Sequence, residues 1–215
     1  GNSFTLTSNT LYYFTVRAVD TSDNVSPVAT TSFSYFTPTD FSNLVLWLDT
    51  TNIASLKQNT GCTTDVTANG DTIDCILDQS GQGNHFTSTS GSAQYSTNTI
   101  NSNPAFVLEN NETMETPNTA LINEGDRNVK AHYIVFRTDA DVTTRQTLYK
   151  EGGATNGTAF YIEGGNIFIG VWIDTSGNPG DRSWVSFPVN ANQNYVAGFT
   201  TDVKKKLSES LTNFD

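Results

Sequence analysis

From Leu44 to Phe199 the chain is a succession of short apolar runs: Leu44–Leu48, Ala105–Leu108, His132–Arg137, Gln146–Tyr149, Ala159–Ile162, Ile167–Ile173, Trp184–Phe187 and Tyr195–Phe199. Gly, Asn, Asp and Thr fill the spaces between them, and no long helical period intervenes. Runs this short, bounded by turn residues, predict strands, and many such strands without helices predict an all-β sandwich. Side chains alternate along a strand. In the longest run Ile167, Ile169, Val171 and Ile173 therefore face one side, and Phe168 and Trp172 the other. A strand that is apolar on both faces is covered twice, once by the opposing sheet and once by a loop, a ligand or a partner.

Composition supports this reading. Hydrophobic residues make up 36% of the 215 and charged residues only 15%, so Thr, Ser and Asn carry most of the polarity. That mix suits exposed strand faces and turns better than helices. With 22 acidic and 11 basic residues the net charge is −11. Such a surface repels phosphate backbones and anionic lipid, which argues against nucleic acid and membrane partners. The acidity serves solubility, or else sparse Ca²⁺ sites. No apolar run reaches the 18 residues of a membrane-spanning helix. Cys62 and Cys75 stand 13 positions apart within one polar loop. A disulfide there closes a short ring worth about 3 kcal/mol; two buried thiols are the cytosolic alternative. The disulfide is the expectation, and with it an extracellular or cell-surface location.

The first 36 residues read as two strands, Leu11–Asp20 and Val28–Phe36, joined by the turn cluster Asp20-Thr21-Ser22-Asp23-Asn24. Tyr12, Phe14, Val16 and Ala18 share one face of the first. Two strands cannot bury a core alone. The missing strands are therefore expected from an adjoining domain of the same polypeptide or from a neighbouring subunit. Thr37–Asp40 reads as a linker, because Pro38 ends the strand. At the other end, Val203–Phe214, with the basic run Lys204-Lys205-Lys206, reads as a solvated loop or one or two helical turns.

Two resemblances attach to these segments. Leu6 and Thr10-Leu11-Tyr12-Tyr13-Phe14-Thr15-Val16-Arg17-Ala18, followed by Asp20 and Asn24-Val25-Ser26, resemble the last strands of a fibronectin type III domain, in which Tyr12 would make the tyrosine corner. Trp47-Leu48-Asp49 and Asp78-Gln79-Ser80-Gly81-Gln82-Gly83-Asn84 resemble the opening of bacterial laminin-G-like domains of the concanavalin A lectin/glucanase fold. Arg145–Gly153, Phe160-Tyr161-Ile162 and Asn166–Trp172 look like the central hairpins of that group. The resemblance implies a two-sheet jelly-roll sandwich over residues 41–215 without its last strands, after a partial fibronectin III sandwich over 1–36 and a linker at 37–40.

That fold group includes glycoside hydrolases, whose pattern resembles Glu-x-Asp-x-x-Glu on one strand. The nearest candidate is Glu109, Glu112 and Glu115. Residues three apart on a strand face opposite ways, and the Asp is missing, so this triplet does not pair carboxylates for hydrolysis. His85 and His132 lack a nucleophile context and read as surface or boundary packing. Gly81-Gln82-Gly83 lacks the remainder of a phosphate loop. No catalytic residue is assigned.

Two binding sites are candidates. Asp49, Asp71, Asp74 and Asp78, with Asn84, offer the oxygens that Ca²⁺ requires; alternatively Asp78 and Ser80 bond backbone amides to hold a turn. Trp172 and Trp184 flank the loop Asp174–Arg182. Stacked on a sugar, they would form a platform with Asp174, Asn178, Asp181 and Arg182 on its hydroxyls; alternatively they plug the end of the core. Trp47 reads as core. Asn24, Asn111 and Asn156 lie in glycosylation sequons of low specificity. Together these features predict a non-catalytic recognition or adhesion module of a larger bacterial surface or secreted protein, with a carbohydrate or glycoprotein ligand. The alternatives are a fibre building block joined by strand sharing, and an accessory module of a glycan-degrading enzyme.

Overall fold

A computed structural model describes residues 10–16, 19, 21–35, 37–109, 111–123, 129–153, 156–173, 182–202 and 205–214. Strands β1 (Thr10–Val16) and β2 (Ala29–Tyr35) form an antiparallel pair in which Tyr12 faces Phe33. Leu6, Arg17, Ala18 and Asp20 of the fibronectin-like pattern lie outside the described residues. The expected linker is a 3-10 turn, Pro38–Asp40, closed by the Asp40 carboxylate on the Thr37 amide.

The next segment packs small sheets around one core. Strands β3 (Leu56–Lys57), β4 (Thr72–Ile73), β5 (Cys75–Ile76), β6 (Phe86–Ser90), β7 (Ala93–Ile100), β8 (Asn103–Val107) and β9 (Thr113–Glu115) assemble as β3-β5-β6-β9 and β4-β7-β8. Leu56, Val66, Ile73, Ile76, Ala93 and Tyr95 are buried between them. A short helix, α1 (Ala120–Asn123), follows.

The larger half is a sandwich. Strand β10 (Val129–Arg137) is an edge of one sheet, and β11 (Gln146–Gly152), β12 (Asn156–Glu163), β13 (Asn166–Ile173) and β14 (Arg182–Pro188) form the other as an antiparallel meander. Strands β15 (Asn194–Asp202) and β16 (Lys205–Phe214) complete the first sheet in the order β10-β15-β16. Phe136, Tyr195, Ala197 and Phe199 of that sheet meet Phe160, Ile162, Ile167 and Ile169 of the meander. Each large apolar side chain buried there contributes about 1.5–3 kcal/mol by leaving water. The all-β expectation holds, and Ile167 and Ile169 point inward as the alternation requires.

Three expectations fail. Leu44–Leu48 is not a strand. Its backbone is claimed by the turn at 78–84: the Trp47 amide donates to Asp78 Oδ1 (2.9 Å), and the Val45 carbonyl accepts from Ser80 Oγ (3.1 Å) and Asn84 Nδ2 (2.8 Å). Trp47 is half-buried there, outside both core clusters. In the tail, Lys205–Phe214 is neither loop nor helix; it pairs antiparallel with β15, Ala197 facing Leu211. Val203 and Lys204 lie outside the described residues.

Candidate functional site

The face of the β11–β14 meander that points away from the core is built from a few residue types in register. Gly157 pairs with Trp172, Tyr161 with Phe168, and Gly170 with Trp184. A Cβ on Gly170 would lie 2.2 Å from Trp184 Cε3, and one on Gly157 would lie 2.3 Å from Trp172 Cζ2. Each indole therefore occupies the space just above a glycine of the adjacent strand, a device that covers backbone a glycine leaves bare. The two indoles are near parallel, 14° between planes and 6.1 Å between centroids. Trp172 is pinned by its Nε1–H, which donates to the Gly153 carbonyl (2.9 Å). Ala159, between the glycines on the same face, is 5% exposed under this cover, whereas Trp184 remains 37% exposed.

The aromatic surface extends along the strands. Tyr161 and Phe168 stack at 4.9 Å and 11°, and Tyr161 meets Trp184 edge-on at 5.4 Å. Arg145 lies over the Tyr161 ring, its Cζ 3.9 Å from the centroid. Chemically this is a broad aromatic face with polar margins, suited to stacking against flat apolar surface. Neither indole belongs to the core cluster, to which β13 contributes Ile167 and Ile169. Of the predicted ligand residues, Trp172 and Trp184 come together, and the Arg182 position stands opposite Trp172 at the start of β14. Asp174, Asn178 and Asp181 lie outside the described residues. Tyr161, Phe168 and Arg145 belong to the same face, although the sequence does not mark them as ligand residues; the outward parity shared by Tyr161, Phe168 and Trp184 is the available signal.

Of the candidate calcium ligands, Asp78, Asp71, Asp49 and Asn84 have side-chain oxygens bonded within the protein. Asp78 accepts from the amides of Trp47, Ser80 and Asn84 and from the Ser80 hydroxyl, at 2.7–2.9 Å. Burial pushes its carboxyl up, but these donors outweigh burial and hold it below the usual range. Asp71 Oδ2 accepts from the Thr67 and Ala68 amides, which depress its pKa. Asp49 Oδ1 takes the Thr51 amide and hydroxyl. Asn84 bridges the Val45 carbonyl and the Thr119 hydroxyl. The Asp74 backbone bonds Lys57 and Ser88. Among the described residues no group of three or more His, Cys, Asp or Glu gathers as a metal site.

The histidines also find partners. His85 Nδ1 accepts from the Asp78 amide at 3.0 Å. His132 is not at a strand start, as its run suggested, but inside β10, stacked on Phe199 at 4.9 Å. It belongs to a charged cluster at the edge of the sandwich. Lys130 Nζ donates to Glu151 Oε1 (3.0 Å) and to the Ile122 carbonyl (2.7 Å), Tyr149 donates to Glu151 Oε2 (2.9 Å), and His132 Nε2 is 3.5 Å from that oxygen. Burial pushes Glu151 up, but His132 and Lys130 outweigh it and bring its pKa down to about 2. Its carboxylate is spent on holding β10, β11 and α1 together.

Cys62 and Cys75 are joined as a disulfide, which indicates an oxidising, non-cytoplasmic environment. No helix among the described residues is long and apolar enough to cross a membrane. Comparison with protein-family models, curated proteins and solved structures returns no match to this chain.

Proposed function

We propose that the chain is a non-catalytic extracellular recognition module that binds carbohydrate, free or on a glycoprotein, on the aromatic face of the β11–β14 meander. The observation that carries this is the pair of near-parallel indoles, Trp172 and Trp184, laid over Gly157 and Gly170. A sugar presents a flat C–H face and an equatorial ring of hydroxyls. An indole lying on a sheet meets the first, and polar groups at the platform margin meet the second. Large apolar side chains on an outer face cost solubility, so they call for an occupant. In this reading residues 41–215 form a laminin-G-like, concanavalin A-like jelly-roll domain after the end of a fibronectin type III domain, as part of a surface or secreted adhesin.

A glycan array tests it, run in Ca²⁺ and again in EDTA. Wild-type protein is expected to give discrete positive glycans. Trp172→Ala and Trp184→Ala are each expected to lower those signals at least about tenfold, the loss of about 1.4 kcal/mol. Signals unchanged in both variants would place the ligand elsewhere.

A further inference from the structure

We propose that the open edge of β10 is an interface between two copies of this chain, paired antiparallel about a two-fold axis at Ile134. β10 ends the order β10-β15-β16, and β15 is its one partner among the described strands. Its register with β15 runs unbroken from Val129 to Arg137. The Thr138 amide donates to the Gln193 carbonyl (2.9 Å), so Thr138 turns its peptide group toward β15. Alternation along an antiparallel ladder then turns Ile134 and Phe136 the same way, and Ala131, Tyr133, Val135 and Arg137 the other. Those four aim their N–H and C=O groups at the open side, where no backbone partner meets them among the described residues.

An edge that stays single is guarded by proline, a bulge or a charged side chain held over it. β10 has neither proline nor bulge. Its two permanent cations are drawn away. Lys130 goes to Glu151 and the Ile122 carbonyl, and Arg137 reaches back to Asn194 Oδ1 on β15 (3.3 Å). What stands beside the open amides is apolar, Tyr133 at 71% exposure and Val135 at 56%. A Cβ on Gly198 of β15 would lie 2.4 Å from Tyr133 Cδ1, so that ring lies over β15 and not over the open amides.

Open peptide groups on an extended strand take another extended strand, and a second β10 fits. With the two Ile134 residues opposed, Tyr133 of each copy faces Val135 of the other, an aromatic against a β-branched residue, twice. Ala131 then faces Arg137, and Lys130 faces Thr138, so no like charges are opposed. The nearby acids are few. Glu151 is bound by Lys130, Asp202 stands across from Val129 on β15, and Asp139 follows the strand and would face the other copy's Val129. Surface for such a contact is at hand. The chain exposes 13397 Å², against about 9,700 Å² for a compact monomer of 23.4 kDa. That surplus exceeds the roughly 800 Å² that each partner gives to a standard interface.

Sedimentation equilibrium of the whole chain, free of glycan, tests this from micromolar to millimolar concentration. The average mass is expected to rise from that of one chain toward that of two. Val135→Lys, at an exposed position, should weaken association at least about tenfold, a loss of about 1.4 kcal/mol. Val135→Pro removes one outward N–H and no bond to β15, and should do the same; the Lys variant serves if this one does not fold. Opposed residues of a bonded pair stand about 5.5 Å apart at Cα, within disulfide reach. Tyr133→Cys with Val135→Cys should therefore give a covalent dimer under mild oxidation, and Tyr133→Cys alone should not. A chain that stays monomeric, association equal in wild type and variants, or growth past the dimer overturns the inference. No covalent dimer from the cysteine pair, or one from Tyr133→Cys alone, overturns the pairing.

Discussion

Trp184 lies across Gly170 of the neighbouring strand, its Cε3 2.2 Å from where a β-carbon on that residue would stand. Backbone and indole are thus interlocked: the glycine makes room, and the ring shields the ladder it exposes. Gly170→Ala must push the indole aside and is expected to cost about 1–3 kcal/mol, the usual penalty of overpacking. Combining it with Trp184→Ala removes the clash, so the double variant should be more stable than the sum of the single losses predicts. Denaturant midpoints for the four proteins of the cycle measure this. Additive losses would mean that the contact does not exist.

Glu151 joins Lys130, Tyr149 and His132 at the edge of the sandwich. Glu151→Gln leaves Lys130 facing an uncharged partner and is expected to cost about 3 kcal/mol. The native carboxyl has its pKa held at about 2, whereas an unfolded Glu titrates near 4.3. Its contribution is therefore complete above the unfolded value and drains away as pH falls toward the folded one. Urea midpoints between pH 6 and pH 2 should fall steeply for the wild type, and less steeply for the Gln variant over that window. Parallel curves would contradict the cluster.

Removing the disulfide with Cys62→Ser and Cys75→Ser should lower stability by about 3 kcal/mol, the loop-entropy value for a ring of this size. Thermal unfolding with and without reductant reads the same quantity on the unaltered chain.

Asp78 separates the two roles open to the acidic turn. Its oxygens take three backbone amides and one hydroxyl, so Asp78→Ala is expected to cost about 2–3 kcal/mol by orphaning those donors. The loss should appear equally in Ca²⁺ and in EDTA. A loss seen only with Ca²⁺ present would assign the carboxylate to a metal instead.

How much of this is legible in the sequence follows from what alternation encodes. Period two alone turns Ile167 and Ile169 inward and Phe168 and Trp172 outward, where the fold has them. It does not say that Gly170 faces Trp184, because alternation within either strand leaves the register between them open. His132 shares the parity of Ile134 and Phe136, which points inward, while its residue type argues for the boundary; Glu151, distant in sequence, is what makes its burial tolerable. Leu44–Leu48 looks like a strand because it is apolar. Its hydrogen bonds go to the side chains of Asp78, Ser80 and Asn84, a choice that hydropathy does not record. The polar run 205–214 carries almost no strand signal, and pairing with β15 overrides its weak propensity. Asp71 and Asp78 are near each other in sequence and Asp49 ends the run before them, but each has an amide within a few residues that its carboxylate takes.

The most direct measurement of the central claim is a nitrogen–proton correlation spectrum of the three indole N–H groups, those of Trp47, Trp172 and Trp184, titrated with a glycan found positive on the array. Trp184 and Trp172 should shift in a saturable, concentration-dependent way while Trp47, tied into the turn of Asp78, stays put. Saturable binding that leaves both platform indoles unmoved, or that moves Trp47 alone, contradicts a glycan site on this face.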